Sequence, residues 1–273
     1  MSVRREIRRG VVTLTLDRPN ARNALTSEMI DTLTQAFEAA QRAPETRAVV
    51  LRAEGTTFSA GGDFAAFRAL MATPPPPGEP DPIVAFNRAF GALLERLATL
   101  DVPTIAVASG SAHGGGVGLV AACDFAFARA DATFRMPEVT LGLPPAQIAP
   151  FVADRIGRGP ALRCMLTGAP VAAPEALRIG LIDEIAADDA GLEAIVRRTL
   201  DALGRAEPAA VRATKRIVLR GREAPRPATL DFAAERFASA LRSGTASEGI
   251  AALAERRHSA WCEALGDGTP DGR

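Results

Sequence analysis

Two glycine-rich segments, about fifty residues apart, are the parts of this sequence best suited to chemistry. The first runs from Phe58 to Asp63 after the apolar run 48–51, and the second from His113 to Gly118 after the run 104–107. Each is expected where a buried strand ends and a helix begins, and there the first backbone N–H groups have no partner within the helix. The helix dipole adds partial positive charge at the same place. Two such ends facing each other would direct two N–H donors at one oxygen, forming an oxyanion hole.

A glutamate within an apolar segment is the candidate for proton transfer. Glu138 follows Pro137, and its near neighbours are Phe134, Met136, Val139, Leu141 and Leu143. Apolar surroundings disfavour the charged form of a carboxyl group, so the pKa of Glu138 should rise toward neutrality. A general acid–base group works best in that range. The alternative is a surface glutamate on a turn.

The elements that hold these residues are predicted from the hydrophobic pattern. Residues 11–16 alternate apolar and polar side chains as a half-buried strand does, and Thr26 or Ser27 can cap the helix that follows. Further strands are predicted at residues 48–51, 104–107, 124–128 and 181–185, with helical stretches between them. Strands that alternate with helices predict an α/β fold with helices packed over the sheet.

After about residue 190 the strand signals stop and helical signals continue. Four amphipathic helices are predicted, at residues 193–203, 209–219, 228–241 and 247–265. Their polar faces carry Arg and Glu, and their apolar faces carry Ala, Ile, Leu and Phe. The four helices together carry more apolar surface than is needed to cover one face of a single sheet.

The order and spacing of several motifs resemble the crotonase family, which contains enoyl-CoA hydratases and isomerases. The matching motifs are Leu16-Asp17-Arg18-Pro19 with Arg22-Asn23-Ala24-Leu25, then Phe58 to Asp63, Gly114 to Gly118, Cys123-Asp124, Pro137-Glu138 with Gly142 and Pro144, Gly180-Leu181-Ile182, and Glu248-Gly249-Ile250. The resemblance implies a crotonase-like ββα spiral core over residues 1–195. It also implies a C-terminal helical oligomerisation region over residues 196–273, and assembly as a homotrimer or as a hexamer built from two trimers.

The resemblance also implies roles for individual residues. The backbone N–H groups of Gly62 and Gly115 would hold the thioester oxygen, and Glu138 would transfer the proton. The residues expected to contact the substrate or its coenzyme A are Arg22, Ala24, Ala60, Asp63, Phe64, Gly114, Gly118, Gln147 and Lys215. Arg22 and Lys215 would meet phosphates, although either could be an ordinary solvated charge. Coenzyme A enters as part of the substrate, so no separate cofactor and no metal is expected.

One position departs from the family's two-carboxylate pattern. The first glutamate of the well-known hydratases falls three residues after the oxyanion glycine, and this sequence has Gly118 there. Either Glu138 handles both the water and the α-carbon proton, or the reaction is a Δ3–Δ2 double-bond shift that needs one carboxylate. A catalytically silent paralogue that only binds acyl-CoA is a third possibility.

The segment from Met136 to Pro150 narrows the expected substrate. It resembles hydratases of branched glutaconyl-CoA esters, namely methylglutaconyl-CoA and isohexenylglutaconyl-CoA. Such substrates carry a second carboxylate. Gln147 could donate a hydrogen bond to that group, and Arg68 or Arg135 could supply a positive charge.

Composition argues against several other classes of protein. Formal net charge is zero, with 32 basic and 32 acidic residues and no sustained basic stripe, which disfavours nucleic acid as a partner. No run approaches the roughly 20 apolar residues that span a bilayer, so no membrane association is expected. The start lacks the apolar stretch of a secretory signal, and three cysteines without a CxxC pair favour a reducing cytoplasm over disulfides or zinc.

Two other motif matches, to dinucleotide-binding proteins and to lipases, lack the surrounding sequence that those sites require. Residues 116–121 fit the dinucleotide pattern G-x-G-x-x-A, but the acidic residue at the expected distance, Glu138, follows a proline rather than a strand. Residues 113–116 resemble the oxyanion motif of lipases, but none of the serines lies in a G-x-S-x-G elbow. His113 could instead line the acyl pocket or be a satisfied core histidine.

Overall fold

The computed structural model describes residues 2–72, 75–76 and 78–267. The strands are β1 (Val3–Arg8), β2 (Val11–Leu16), β3 (Ala48–Ala53), β4 (Thr57–Ser59), β5 (Thr104–Ala108), β6 (Ser111–His113), β7 (Phe125–Arg129), β8 (Thr133–Arg135), β9 (Val171–Ala172) and β10 (Glu184–Ala186). The α-helices are α1 (Ser27–Arg42), α2 (Phe64–Ala72), α3 (Pro82–Thr99), α4 (Gly115–Ala122), α5 (Ile148–Ile156), α6 (Arg158–Thr167), α7 (Ala173–Arg178), α8 (Asp189–Arg205), α9 (Pro208–Glu223), α10 (Arg226–Arg242) and α11 (Thr245–Ala254). Two 3₁₀ turns, at Pro19–Ala21 and Glu138–Leu141, complete the set.

The strands form two sheets, and the chain passes back and forth between them. The larger sheet has the order β1-β2-β3-β5-β7-β10, and the smaller has the order β4-β6-β8-β9. The pairs β3/β4, β5/β6 and β7/β8 each place one strand in the large sheet and the next in the small sheet, and helices follow. This repeated ββα turn confirms the predicted α/β spiral.

The small sheet was not predicted from the sequence. Its strands are only two or three residues long, which is too short for an alternating pattern to be recognised. Strand β1 was missed as well, because five of its six residues are exposed and charged side chains dominate it. It pairs antiparallel with β2 at the edge of the large sheet.

The large sheet is covered on both faces. On one face, α1, α3 and α4 and the small sheet enclose a core that includes Leu14, Phe37, Leu93 and Phe134. On the other face, Ile195, Val196 and Leu200 of α8 pack against β2, β3, β5 and β7. Burial on both faces explains why β5 is a continuous apolar run rather than an alternating one.

Helix α8 crosses the predicted boundary at residue 195 without a break. Its buried face belongs to the core of the large sheet on both sides of that residue. The division into 1–195 and 196–273 therefore stays a prediction, and its last residues, 268–273, lie outside the described part of the chain.

Two predicted elements have different ends in the structure. The helix predicted at 247–265 is α11, which ends at Ala254 because Arg256 takes a left-handed φ of 55° that reverses the chain. The strand predicted at 181–185 is β10, which begins only at Glu184, while Leu181 and Ile182 are buried in the preceding turn. Among the described helices, none combines the length and apolar character needed to cross a membrane.

Candidate active site

The two glycine-rich segments emerge side by side from the small sheet. Strand β4 ends at Ser59 and leads into α2, and β6 ends at His113 and leads into α4. The two strands are parallel neighbours, so their carboxyl ends lie at the same edge. The predicted strand-to-helix junctions are present, although the short strands β4 and β6 separate them from the buried runs in β3 and β5.

The backbones of the two segments are in direct contact. A Cβ atom added at Gly61 would lie 2.9 Å from the carbonyl oxygen of His113 and 3.2 Å from the nitrogen of Gly115. Gly61 also has a φ of 87°, a conformation that favours glycine. A side chain at Gly61 would therefore separate the two junctions.

The amides of Gly62 and Gly115 are available as donors. Leu25 donates to the carbonyl oxygen of Gly61 at 2.8 Å and accepts from the N–H of Asp63 at 3.2 Å, so it fixes the backbone on both sides of Gly62. Gly115 opens α4, where an N–H has no partner within the helix. Within the described residues neither amide donates a hydrogen bond, and both glycines are only half-buried.

Glu138 lies against this junction. A Cβ atom added at Gly114 would be 2.9 Å from Oε1 of Glu138, and the N–H of Gly114 donates to the carbonyl oxygen of Arg135 at 2.8 Å. Oε2 of Glu138 is buried and has no hydrogen-bond partner among the described residues. Burial raises the pKa of Glu138 above its ordinary value of 4.5, and its own backbone N–H offsets only part of this rise.

Gly118 lies inside a contact between helices. A Cβ atom at this position would be 2.5 Å from Cγ2 of Ile148 in α5 and 3.2 Å from Cδ1 of Leu94 in α3. The space that a longer side chain would need is thus filled by Ile148 and Leu94. This glycine therefore allows three helices to pack closely, and the contact of Gly118 with the substrate stays a prediction.

Residues 22–25 form the turn beside the first junction. Arg22 is exposed with a φ of 51°, and its carbonyl oxygen accepts the N–H of Ala60 at 2.9 Å. Ala24 and Ala60 are half-buried. Arg22 is therefore accessible next to the site, and its role toward coenzyme A stays a prediction.

A buried asparagine that we did not single out from the sequence holds this turn. The side chain of Asn23 donates to the carbonyl oxygens of Glu54 and Thr57, at 2.9 and 2.8 Å, and accepts the N–H of Arg18 at 2.8 Å. Its own carbonyl oxygen accepts the hydroxyl of Ser59. The only sequence feature that could have indicated this role is the place of Asn23 in the Arg22-Asn23-Ala24-Leu25 motif.

Asp63 and Phe64 mark the start of α2. The side chain of Asp63 accepts the N–H of Ala65 at 2.9 Å and lies 3.4 Å from Nη1 of Arg18. Phe64 is the first residue of the helix. The carboxylate of Asp63 thus anchors the start of the helix, and the contact of Asp63 and Phe64 with coenzyme A stays a prediction.

Lys215 does not belong to this site. Its Nζ atom donates to Oδ2 of Asp124 at 2.6 Å and to the carbonyl oxygen of Val102 at 3.1 Å, and its side chain is 9% exposed. These partners lie at the beginnings of β5 and β7, whereas the glycine junctions follow the ends of β4 and β6. The ammonium group is used in an interior ion pair that joins α9 to the core, and the phosphate contact of Lys215 stays a prediction.

The remaining candidate residues differ in their burial and in their hydrogen-bond partners. Gln147 is half-buried and donates from Nε2 to Oδ1 of Asn87 at 2.9 Å. Arg135 donates from Nε to the carbonyl oxygen of Gly168 at 2.7 Å, and Arg68 is exposed on α2. Burial lowers the pKa of His113, and the positive charges of Arg135 and Arg22 lower it further.

Helix α3 supplies residues that the sequence did not indicate. A Cβ atom added at Gly115 would be 3.1 Å from both Cζ of Phe90 and Cδ1 of Leu25. The ring of Phe67 lies 2.5 Å from a Cβ added at Gly62, and it packs edge-on against Phe86 of α3. Aromatic rings therefore flank both donor glycines.

Comparisons with known proteins agree with this architecture. The family described as enoyl-CoA hydratase/isomerase matches residues 6–264. A probable enoyl-CoA hydratase of Mycobacterium bovis is 33% identical over 257 residues, which cover 93% of this chain and 95% of that protein. An enoyl-CoA hydratase/isomerase from Marinobacter aquaeolei superimposes with a TM-score of 0.92 at 34% identity, covering 96% and 99% of the two chains. AtuE of Pseudomonas aeruginosa superimposes with a TM-score of 0.91 at 38% identity, covering 96% and 100%.

Proposed function

The chain belongs to the enoyl-CoA hydratase/isomerase family, and from this premise we propose that it adds water to the double bond of a 2-enoyl-CoA thioester. The observation that carries the proposal is the half-buried side chain of Glu138: its Oε2 atom is buried without a partner among the described residues, and its Oε1 atom lies against Gly114. It stands beside the unused N–H groups of Gly62 and Gly115. This arrangement supports a mechanism in which one acid–base group acts beside two donors to one oxygen.

The proposed reaction uses Glu138 twice. Water attacks C3 of the enoyl group while ionised Glu138 accepts its proton, and the electrons of the C2–C3 double bond move onto the thioester oxygen. The N–H groups of Gly62 and Gly115 stabilise this enolate, and each donor of this kind contributes about 2.7–4 kcal/mol. The enolate then takes the proton from Glu138 at C2, which completes the 3-hydroxyacyl product and regenerates the carboxylate.

A Δ3–Δ2 enoyl-CoA isomerase is the second candidate, and Gly118 is the observation that favours it. Ile148 and Leu94 fill the space where a second carboxylate would act on water. A double-bond shift needs no water: Glu138 removes a proton from C2 of a 3-enoyl ester, a conjugated dienolate forms with its charge on the same thioester oxygen, and Glu138 returns the proton at C4. Both reactions rely on the same three groups.

We further propose a branched glutaconyl-CoA ester as the physiological substrate. Gln147 has an N–H that its bond to Asn87 leaves free, because a primary amide nitrogen carries two. Arg68 is exposed, and after Nε of Arg135 donates to the carbonyl oxygen of Gly168, its two terminal NH2 groups can donate to another acceptor. These groups support recognition of a second carboxylate on the acyl chain.

The test is a substrate panel followed by the absorbance of the enoyl thioester. Crotonyl-CoA, 3-methylglutaconyl-CoA and 3-hexenoyl-CoA are each mixed with the pure protein, and the products are identified by mass spectrometry. Hydration lowers the absorbance of a 2-enoyl ester, whereas isomerisation raises that of the 3-enoyl ester. Tight binding of these esters with no conversion of any of them would contradict both reactions and identify a silent paralogue.

We propose that the chain assembles as a homotrimer or as a hexamer. Helix α9 contains no buried residue over its fully described length, and α10 and α11 each bury one, Thr229 and Ala252. Large apolar side chains on α10 and α11 are instead exposed: Leu230, Phe237, Leu241, Ile250 and Leu253. Light scattering should give three or six times the chain mass of 28.5 kDa. A monomer at micromolar concentration would contradict the proposal.

A further inference from the structure

One face of helix α3 packs along helix α4, and α3 extends past the N-terminal end of α4. Asn87, Phe90, Gly91 and Leu94 share this face, since they are spaced by three and four residues. Leu94 lies against Gly118 and Phe90 lies against Gly115, so the two helices run in the same direction here. Asn87 is about one helical turn, roughly 5 Å, farther on. The N–H of Gly115 points toward this same space, because the first amides of a helix face outward from its N-terminus.

Gln147 reaches the same place from the turn before α5. Its Nε2 atom donates to Oδ1 of Asn87 at 2.9 Å, and both side chains are half-buried. The next residue, Ile148, is the one that packs on Gly118. The amide pair therefore stands at the edge of the space in front of Gly115, with the apolar side chains of Phe90 and Ile148 beside it.

Gly91 fixes the orientation of this pair. A Cβ atom at Gly91 would overlap Oε1 and lie 2.7 Å from Cδ of Gln147, so the side-chain amide of Gln147 rests directly on the helix surface. Its oxygen faces the Cα of Gly91, which is a favourable weak contact, whereas an N–H in this position would have no acceptor. Any side chain larger than glycine would displace Gln147.

In this orientation both amide oxygens are engaged, while three N–H groups of the pair have no partner among the described residues. Oδ1 of Asn87 already accepts from Gln147, and Oε1 of Gln147 is turned onto Gly91. What remains is one N–H on Gln147 and two on Asn87. A purely apolar acyl chain that covered these half-buried N–H groups would remove their water without offering an acceptor, which is unfavourable.

We infer that Asn87 and Gln147 together bind a hydrogen-bond acceptor carried on the acyl chain of the substrate, a carboxylate or a carbonyl oxygen. The inference rests on the proposed function, since it assumes that a CoA thioester occupies the Gly62–Gly115 junction. It makes Asn87 a specificity-determining residue, with Gly91 as the residue that permits the arrangement. The pair is uncharged, so it selects acceptors by donor placement rather than by net charge.

The test measures binding of saturated esters, which the protein does not convert. Glutaryl-CoA carries a carboxylate, its monomethyl ester carries a neutral carbonyl, and butyryl-CoA carries neither. Titration calorimetry gives Kd for each ester with the full chain and with Asn87→Asp. This substitution keeps the acceptor that holds Gln147 but replaces two N–H donors by a charged oxygen. Arg88→Gln, on the exposed neighbour that pairs with Glu95, is the matched control.

The wild-type chain should bind glutaryl-CoA more tightly than butyryl-CoA, and Asn87→Asp should reduce this preference by about 10- to 100-fold, the usual loss for a hydrogen bond to a charged group. Equal binding of the methyl ester and of glutaryl-CoA would identify the carbonyl as the recognised group, and weaker binding of the methyl ester would identify the carboxylate. Gly91→Ala should produce the same loss of preference by displacing Gln147.

An unchanged preference in Asn87→Asp, or no preference in the wild-type chain, would overturn the inference. These results are distinct from a failure of the proposed function. A chain that prefers glutaryl-CoA yet converts no enoyl ester would retain this inference and lose the hydratase. A chain that hydrates enoyl esters while binding all three saturated esters alike would do the opposite.

Discussion

Replacing Glu138 with Gln should lower kcat by about 10²–10⁴-fold while CoA-ester binding is largely retained. Glutamine has nearly the same size and keeps the packing against Gly114, but it cannot accept or return a proton. Because Glu138 serves both proton transfers in the proposed reaction, its loss should affect hydration and isomerisation alike. Steady-state rates and a binding titration on the same preparation check this result. Glu45→Gln, at an exposed glutamate, is the matched control.

The pH dependence should follow the same group. The proposed reactions begin with ionised Glu138, and burial raises its pKa, so the kcat/KM of the wild type should fall as pH decreases through that raised pKa. The residual activity of Glu138→Gln should lack this acid limb. A variant with wild-type rates, or with the same acid limb, would remove Glu138 from the mechanism.

Glu138→Gln should also change stability in a direction set by linkage. A carboxyl group whose pKa is higher in the folded chain loses stability as pH rises from the unfolded value, near 4.5, through the folded value. Glutamine has no charge to bury, so the variant should be more stable than the wild type at about pH 8 and similar at about pH 4. Urea unfolding at the two pH values measures this difference. A variant that is more stable but less active than the wild type would fit the trade-off between stability and activity that is common for catalytic groups.

Replacing Gly114 with Ala should lower turnover by about 10²–10³-fold, the usual effect of losing one oxyanion donor. Gly114 has a φ of 49° and a ψ of −117°, which an alanine adopts only with strain. Its Cβ would also meet Oε1 of Glu138 at 2.9 Å and lie 3.8 Å from the Cα of Gly61. The added methyl group should therefore displace the carboxylate, and the backbone strain should shift the neighbouring amide of Gly115.

The control for Gly114→Ala separates strain from displacement. Gly180 has a φ of 81°, but nothing lies within 4 Å of a Cβ added there. Gly180→Ala should therefore cost about 1–3 kcal/mol of stability and leave kcat close to wild type. If folded Gly114→Ala retained kcat within about threefold, the junction would not be the catalytic centre.

The sequence indicated the parts of the site that are encoded locally. The two glycine-rich segments that follow apolar runs, and the glutamate among apolar neighbours, can each be recognised within about ten residues of sequence. The packing of Ile148 on Gly118 and of Phe90 on Gly115 depends on contacts between separate helices, and no local pattern reports them. The Asn87–Gln147 pair likewise joins residues 60 positions apart.

Two further features of the C-terminal helices depend on tertiary contacts. Lys215 was predicted either to meet a phosphate or to be an ordinary solvated charge, and its ion pair with Asp124, 91 positions away in the chain, has no local signal. The helix at 247–265 was extended too far because its apolar spacing continues past the turn at Arg256. Charge and periodicity identify what a residue is able to do, but the tertiary contacts decide which partner it has.

The central claim is that the amides of Gly62 and Gly115 bind one thioester oxygen with Glu138 beside the adjacent carbon. A crystal structure with bound butyryl-CoA tests it most directly. The thioester oxygen should lie about 2.7–3.2 Å from both nitrogens, and a carboxylate oxygen of Glu138 about 3–3.5 Å from C2. An oxygen held by one amide or by neither, or a Glu138 side chain directed away from C2, would contradict the account.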